Sequence, residues 1–176
     1  MAELVSPSVR FHESFLDAMD EFAAEGAHDS QTAHWIAQHA PGWSAPDVFE
    51  AFAEGLVRQA LPDEPRTADR VPCSIRWWVE GEAYLGRIAV RHVLNDFYRE
   101  VGGHIGYDVR PSRRRQGHAT AMLAAVLPLA AELGIDRALV TCDTDNTASR
   151  AVILANGGVL EDERGGKLRF WVPTSA

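Results

Sequence analysis

The chain has 176 residues, of which 46% are hydrophobic, so it can form one domain with a sizeable core, spanning residues 1–176. Its formal net charge of −8 at pH 7 disfavours nucleic acid as a partner and favours a cationic acceptor such as an amine. The two cysteines, Cys73 and Cys142, lie far apart and form neither a disulfide scaffold nor a metal motif, so no metal site is expected.

The first 70 residues predict a short strand and two helices. The strand is predicted over residues 3–6, and a helix over residues 12–25, where apolar side chains recur at three- and four-residue steps. Residues 26–46 are predicted to be irregular, and residues 47–59 a second helix. The polar, proline-containing residues 61–72 are predicted to be a loop within the same domain, because the preceding segment cannot bury a core alone.

The rest of the chain alternates predicted strands and helices. Residues 73–80 and 83–93 predict a β-hairpin, and residues 101–109 a central strand. A long helix is predicted over residues 116–133, and Pro128 is expected to kink it. The remaining predicted elements are a strand over 137–142, a helix between Asn146 and Gly157, and strands over 159–163 and 168–172.

The chain shows no segment typical of export or of a membrane span. Its N-terminus has neither the basic region nor the apolar region of a signal peptide. The longest apolar run, residues 119–135, is too short and too interrupted to cross a bilayer. We therefore expect a cytoplasmic protein without a membrane partner, and a homodimer is left open.

The segment VRPSRRRQGHAT, residues 109–120, joins the predicted central strand to the long helix. A glycine-containing loop at a helix N-terminus directs several backbone N–H groups at one point, where the helix dipole adds positive charge. Three consecutive arginines, residues 113–115, add full charge, so the segment predicts a phosphate or pyrophosphate site. It lacks the features of a P-loop and of a dinucleotide-binding fingerprint. A solvated basic turn is the alternative interpretation, and the strand-to-helix position disfavours it.

A second motif lies downstream, where Asn146 can cap a short helix and Ser149 falls in its first turn. A capped helix without any other function is the alternative interpretation. With Arg114-x-x-Gly117-x-Ala119 upstream, Asn146-x-x-Ser149 resembles the paired signatures of the GNAT superfamily of N-acetyltransferases. The resemblance is carried by residues 71–176, the expected acyl-CoA-binding core, whereas residues 1–70 form an expected acceptor-side segment.

The resemblance implies an α/β (α+β) GNAT fold, with a mixed central sheet of about six to seven strands and about four helices. Two parallel strands of this sheet are expected to splay apart and hold acyl-CoA, with acetyl-CoA as the cosubstrate. The cofactor-binding residues that the resemblance implies are Tyr107, Val109, Arg114, Arg115, Gln116, Gly117, His118, Ala119, Thr120, Asn146 and Ser149.

The implied reaction transfers an acetyl group to a primary amine, expected to be a small molecule, by direct attack in a ternary complex. A protein N-terminus or lysine is the alternative acceptor, and a non-catalytic acyl-CoA sensor is the alternative function. Ile153 supports the sensor, because many GNAT enzymes have a tyrosine at this position that protonates the leaving thiolate.

The acceptor amine needs a base, since an alkylamine has a pKa of about 10.4 and arrives protonated. His104 is the candidate, because histidine titrates near neutral pH and strand alternation places His104 and Asp108 on the face away from the long helix. Asp108 is a second candidate, and a hydrogen-bonded core histidine is the alternative interpretation of His104. Arg91, His92 and Asn95 are expected to line the acceptor pocket, although Arg91 and His92 could equally be structural.

Overall fold

The computed structural model describes residues 1–26 and 30–175, which form five α-helices and a seven-stranded sheet. The helices are α1 (His12–Glu25), α2 (Gln31–His39), α3 (Pro46–Arg58), α4 (His118–Glu132) and α5 (Thr147–Ala155). The strands are β1 (Glu3–Val5), β2 (Cys73–Glu80), β3 (Ala83–Arg91), β4 (Ile105–Val109), β5 (Arg137–Asp143), β6 (Val159–Arg164) and β7 (Lys167–Pro173). The sheet order is β1-β2-β3-β4-β5-β7-β6, and β4 and β5 are its parallel pair. The predicted mixed sheet is confirmed.

The sheet separates two hydrophobic cores. The core on the side of α4 and α5 is mainly aliphatic and includes Ile105, Met122 and Leu123. The core on the side of α1, α2 and α3 is mainly aromatic. Trp77 and Trp78 are neighbours in β2 and enter different cores, the first aromatic and the second aliphatic, as strand alternation requires. Both faces of the sheet are therefore covered, and β4 runs between two layers of helices.

The prediction that residues 26–46 are irregular is wrong for much of this stretch, which contains α2; residues 27–29 lie outside the described part. Ser30 caps α2, since its Oγ accepts a hydrogen bond from the Ala33 N–H group at 3.1 Å. Trp35 anchors the helix in the aromatic core. The proline and glycine that suggested a loop begin only after α2 has ended, so α2 raises the helix count above the expected four.

The central strand β4 begins at Ile105, four residues later than predicted. The preceding stretch forms a π-helical turn, Tyr98–Gly102. Asn95 caps this turn by accepting a hydrogen bond from its first N–H group at 2.9 Å. Arg91 donates to the turn's last carbonyl and to the next one, at 2.9 and 3.0 Å. These carbonyls are therefore bonded to a side chain instead of a neighbouring strand.

Helix α4 begins at His118, two residues later than predicted, and continues through Pro128. In residues 1–26 and 30–175, no helix has the length and apolarity that crossing a bilayer demands.

Candidate active site

The loop between β4 and α4 is held against α1 by two glutamates. Glu21 accepts hydrogen bonds from Arg110 Nε at 2.7 Å and from the Ser112 backbone N–H group at 2.9 Å. Glu25 binds both terminal nitrogens of Arg114, at 2.5 and 2.9 Å. Arg114 therefore neutralises a carboxylate of the protein and fixes the loop, whereas the sequence suggested that its charge faces a phosphate.

The N-terminus of α4 presents a cluster of backbone N–H groups. Those of residues 115–120 have no hydrogen-bond acceptor within the described part of the chain. Left-handed backbone at Arg115 (φ 62°) and at Gly117 (φ 83°) shapes the loop. Such a conformation is uncommon for a residue with a Cβ and persists mainly at functional sites. With the dipole of α4, these N–H groups create a positive potential that suits an anion.

The parallel strands β4 and β5 separate toward their carboxyl ends. They pair at a single position, Ile105 with Val140, so the predicted splay is confirmed. Across the gap, the Tyr107 hydroxyl lies 2.6 Å from Ser149 Oγ at the start of α5. Burial raises the pKa of Tyr107 to about 12, so this phenol stays protonated at neutral pH and can donate a hydrogen bond.

Helix α5 closes the far side of this gap. Asn146 caps it, as predicted, by accepting a hydrogen bond from the Ser149 N–H group at 2.9 Å. Ile153, one turn after Ser149, is 0% exposed and belongs to the aliphatic core. Its side chain has no proton to donate.

The register between β3 and β4 assigns side chains to the two faces of the sheet. Ile105 and Val109 face the core under α4, as predicted. Asp108 pairs with Arg87 in the ladder and lies on the other face. Its carboxylate accepts hydrogen bonds from Arg87 and from Thr32 Oγ1, the latter at 2.9 Å. Asp108 therefore already has two partners, which limits its use as a base.

His104, the residue before β4, connects strands β3 and β5 through hydrogen bonds. Its carbonyl accepts the Arg91 N–H group at 2.8 Å, and its Nδ1 accepts the Leu139 N–H group at 2.9 Å. The neutral ring then carries its proton on Nε2, so no lone pair is free. Burial, and then the charges of Arg91 and Arg99, lower the pKa of His104 to about 4. This setting favours the structural interpretation, and the base role stays a prediction.

A cavity of about 500 Å³ lies on the Asp108 face of the sheet, lined by residues of α2, α3, the segment 64–71 and strands β2 and β3. This volume is within the range of small-molecule sites. Of the three residues expected in the acceptor pocket, Arg91 lines the cavity. His92 instead lies 2.9 Å from the Ser74 hydroxyl, and Asn95 donates to the Asp69 carbonyl at 2.9 Å. The side chains of His92 and Asn95 therefore fix neighbouring segments beside the cavity and do not line it.

The side chains that α2 contributes to this face, including Thr32 and Trp35, were not predicted from the sequence, because no local motif marks them. Arg87, in contrast, could have been recognised in the sequence, because it is a charged residue within the apolar strand β3. It lies four residues before Arg91, on the same face of the strand. A charge at such a position needs a buried partner, which Asp108 provides.

Comparison with known proteins agrees with this architecture. The model of the acetyltransferase (GNAT) domain family matches residues 14–159. Curated proteins yield no match to the chain. The microcin C7 self-immunity acetyltransferase MccE, solved with acetyl-CoA and AMP, has a TM-score of 0.64 at 13% identity, and the match covers 98% of this chain and 92% of MccE.

Two further solved structures share the fold. RimJ of Mycobacterium smegmatis, solved with CoA-disulfide, has a TM-score of 0.65 at 19% identity, covering 98% of this chain and 81% of RimJ. The N-acetyltransferase PseH of Campylobacter jejuni, solved with acetyl coenzyme A, has a TM-score of 0.56 at 11% identity, covering 99% of this chain and 100% of PseH. Because the family model matches most of the sequence, this chain belongs to the GNAT acetyltransferase family and is an acyltransferase.

Proposed function

We propose that the protein transfers an acetyl group from acetyl-CoA to the primary amine of a small molecule, by direct attack in a ternary complex. One observation carries this proposal: β4 connects two sites of different character. Its carboxyl end leads into the N–H cluster at α4, and Asp108 on its other face is bonded to Arg87 in the wall of the cavity. A donor on one side of β4 and an acceptor on the other can meet at this strand.

On the donor side, the pyrophosphate of acetyl-CoA binds the free N–H groups of residues 115–120. The exposed guanidinium groups of Arg113 and Arg115 add long-range attraction, which salt weakens. The pantetheine arm fills the gap between β4 and β5, with Asn146 and Ser149 at its far side. The backbone of Tyr107 and Val109 holds the acyl carbonyl, so that fixed N–H groups stabilise the developing oxyanion.

On the acceptor side, the amine enters the cavity. Two helices, a loop and the sheet line this concave space, and its volume suits a small molecule. The amine must lose a proton before it attacks, and His104 and Asp108 remain the candidate bases, although each already has hydrogen-bond partners. Holding the free amine against the carbonyl supplies much of the rate by itself.

The leaving thiolate departs without a proton donor at position 153. A thiol pKa of about 8.5 makes the thiolate a tolerable leaving group near neutral pH.

The proposal is tested by measuring thiol release from acetyl-CoA with three sets of acceptors: small primary amines, peptides with free N-termini or lysines, and no acceptor. Thiol release that is fastest with a small amine is expected. Faster release with a peptide would replace the proposal with protein acetylation. Tight acetyl-CoA binding without release for any acceptor would instead identify a sensor.

A further inference from the structure

The cavity beside β4 has the opposite charge from the protein as a whole. Glu64 is its one acidic lining residue among those described, and its Oε1 is already paired with Arg58 Nε at 3.4 Å. The whole chain, in contrast, carries a formal charge of −8. Cations gathered around a small space repel one another, and a bound anion relieves this repulsion. The cationic lining residues are Arg66, Arg70, Arg87 and Arg91.

Arg87, which lines this cavity, has an unsatisfied buried hydrogen-bond donor. Its side chain is 6% exposed, and its Nη2 donates to Asp108. Its guanidinium carbon lies 5.2 Å from the centroid of the Trp35 ring. Its buried Nε has no acceptor within the described residues. Buried donors are almost always bonded, so this Nε leaves the Arg87 guanidinium short of one acceptor beside the cavity.

Arg91 and Arg70 keep most of their charge unneutralised. Arg91 donates to two backbone carbonyls and lies 4.2 Å from the centroid of the Tyr98 ring, but it forms no ion pair with any described residue. Arg70 Nε lies 3.8 Å from the carboxylate of Asp69, whose side chain is 74% exposed. Exposed pairs at this separation are weak, so both guanidinium groups can bind a further anion.

Arg91 also lies beside the strand where transfer is proposed. A Cβ atom at Gly106 would be 3.9 Å from both terminal nitrogens of its guanidinium. Gly106 directly precedes Tyr107, whose backbone holds the acyl group in the proposed mechanism. An anion on Arg91 is therefore close to the acyl carbonyl, and a compact acceptor can carry both the anion and the attacking amine.

We infer that the acceptor is a small amine that also bears a carboxylate or a phosphate, and that Arg91, Arg70 and Arg87 bind this negative group. This inference rests on the proposed acetyltransferase function. It adds a negative group to the cationic amine acceptor that the net charge of the chain favoured. The positive cavity selects the charge of the substrate locally, and the acidic outer surface does not decide it.

The test uses pairs of acceptors that share an amine and differ in charge: an amino acid against its carboxamide, and phosphoethanolamine against ethanolamine. Thiol release from acetyl-CoA is measured for the wild type, Arg91→Gln, Arg91→Lys and the control Arg10→Gln, an exposed arginine outside the cavity. In the wild type, the anionic member of one pair should have a kcat/KM roughly tenfold higher or more. This preference should vanish in Arg91→Gln, persist partly in Arg91→Lys and persist fully in Arg10→Gln.

The pair that shows the preference distinguishes a carboxylate from a phosphate. Equal kcat/KM within both pairs would overturn the inference and leave the acetyltransferase proposal standing. An Arg91→Gln loss that is the same for neutral and anionic acceptors would also overturn it, because Arg91 would then be structural only. If no acceptor releases thiol, the acetyltransferase proposal fails, and calorimetric titration of the same compounds decides: tighter binding of the anionic members supports the inference, and equal binding overturns it.

Discussion

The donor and acceptor sides of β4 are built in different ways. The donor side consists largely of backbone: the free N–H groups of residues 115–120 and the edges of two splayed strands. The acceptor side consists of side chains from two helices, a loop and two strands, linked by a buried ion pair between Arg87 and Asp108. A backbone site tolerates most side-chain replacements unless they block the ligand, whereas a side-chain site depends on each of its polar partners.

The largest expected effect tests the acceptor side. Asp108→Asn keeps the shape of the side chain but leaves the charge of Arg87, whose side chain is 6% exposed, without its counter-ion. Removing one partner of a buried pair costs about 3 kcal/mol or more, so the free energy of unfolding should fall by that amount in denaturant titrations. The control is Glu100→Gln, which breaks the exposed pair with Arg164 and should cost less than about 1 kcal/mol. Similar losses in the two variants would contradict this dependence on buried partners.

The second prediction tests the donor side with two glycines of matched conformation. Gly117 and Gly134 lie at opposite ends of α4, with φ of 83° and 80°, and a Cβ atom at either would meet no atom within 4 Å. Gly117→Trp and Gly134→Trp should therefore strain the backbone to a similar degree. Only Gly117→Trp should block the pyrophosphate, weakening acetyl-CoA binding about a hundredfold, or ~2.8 kcal/mol, in calorimetry. Equal affinity in both variants would remove the anion site from this loop.

The difference between a donor side built from backbone and an acceptor side built from side chains also explains which features could be predicted from the sequence. A backbone site is encoded locally, so the loop before α4 and the Asn146 cap were expected from residues close in the sequence. The splay of β4 and β5 was expected from the resemblance to the GNAT superfamily. The acceptor cavity joins segments far apart, and α2 in particular was missed because its anchor, Trp35, acts through long-range packing. Arg114 was expected to face the ligand, but its partner Glu25 lies in a helix far earlier in the chain.

The third prediction concerns His104, which lies between the two sides. Its pKa is about 4 in the folded protein and near 6.5 when unfolded, so between these values the unfolded chain binds a proton that the folded chain does not. Stability should therefore fall as the pH decreases from about 6.5 to about 4. His104→Asn, whose Oδ1 can accept the Leu139 N–H group, should weaken this pH dependence, whereas the exposed control His34→Asn should leave it unchanged. Burial also lowers the pKa of His92, so a smaller dependence of the same sign should remain in His104→Asn. The measurement is unfolding by denaturant across this range.

The pH dependence of the reaction rate distinguishes a structural role of His104 from a role as the base. If His104 is structural, any ionisation seen in the rate near neutral pH should persist in His104→Asn. Disappearance of that ionisation, with acetyl-CoA binding unchanged, would identify His104 as the base.

The smallest expected effect compares two helix caps. Asn146→Ala and Ser30→Ala each remove a cap, of α5 and of α2, and each should lower the free energy of unfolding by about 1 kcal/mol. Because α5 borders the donor gap and α2 the acceptor cavity, only Asn146→Ala should also weaken acetyl-CoA binding in calorimetry. Unaltered acetyl-CoA affinity in Asn146→Ala would leave this residue with a structural role alone.

The most direct test of the two-sided arrangement is a set of initial rates in which both substrates are varied for Gly117→Trp and Arg70→Gln. Gly117→Trp is predicted to raise the KM for acetyl-CoA and leave the KM for the acceptor near its wild-type value. Arg70→Gln, which removes a charge from the cavity wall, is predicted to do the reverse. If either variant raised both KM values to a similar extent, or raised only that of the opposite substrate, β4 would not separate a backbone-built donor site from a side-chain-built acceptor site.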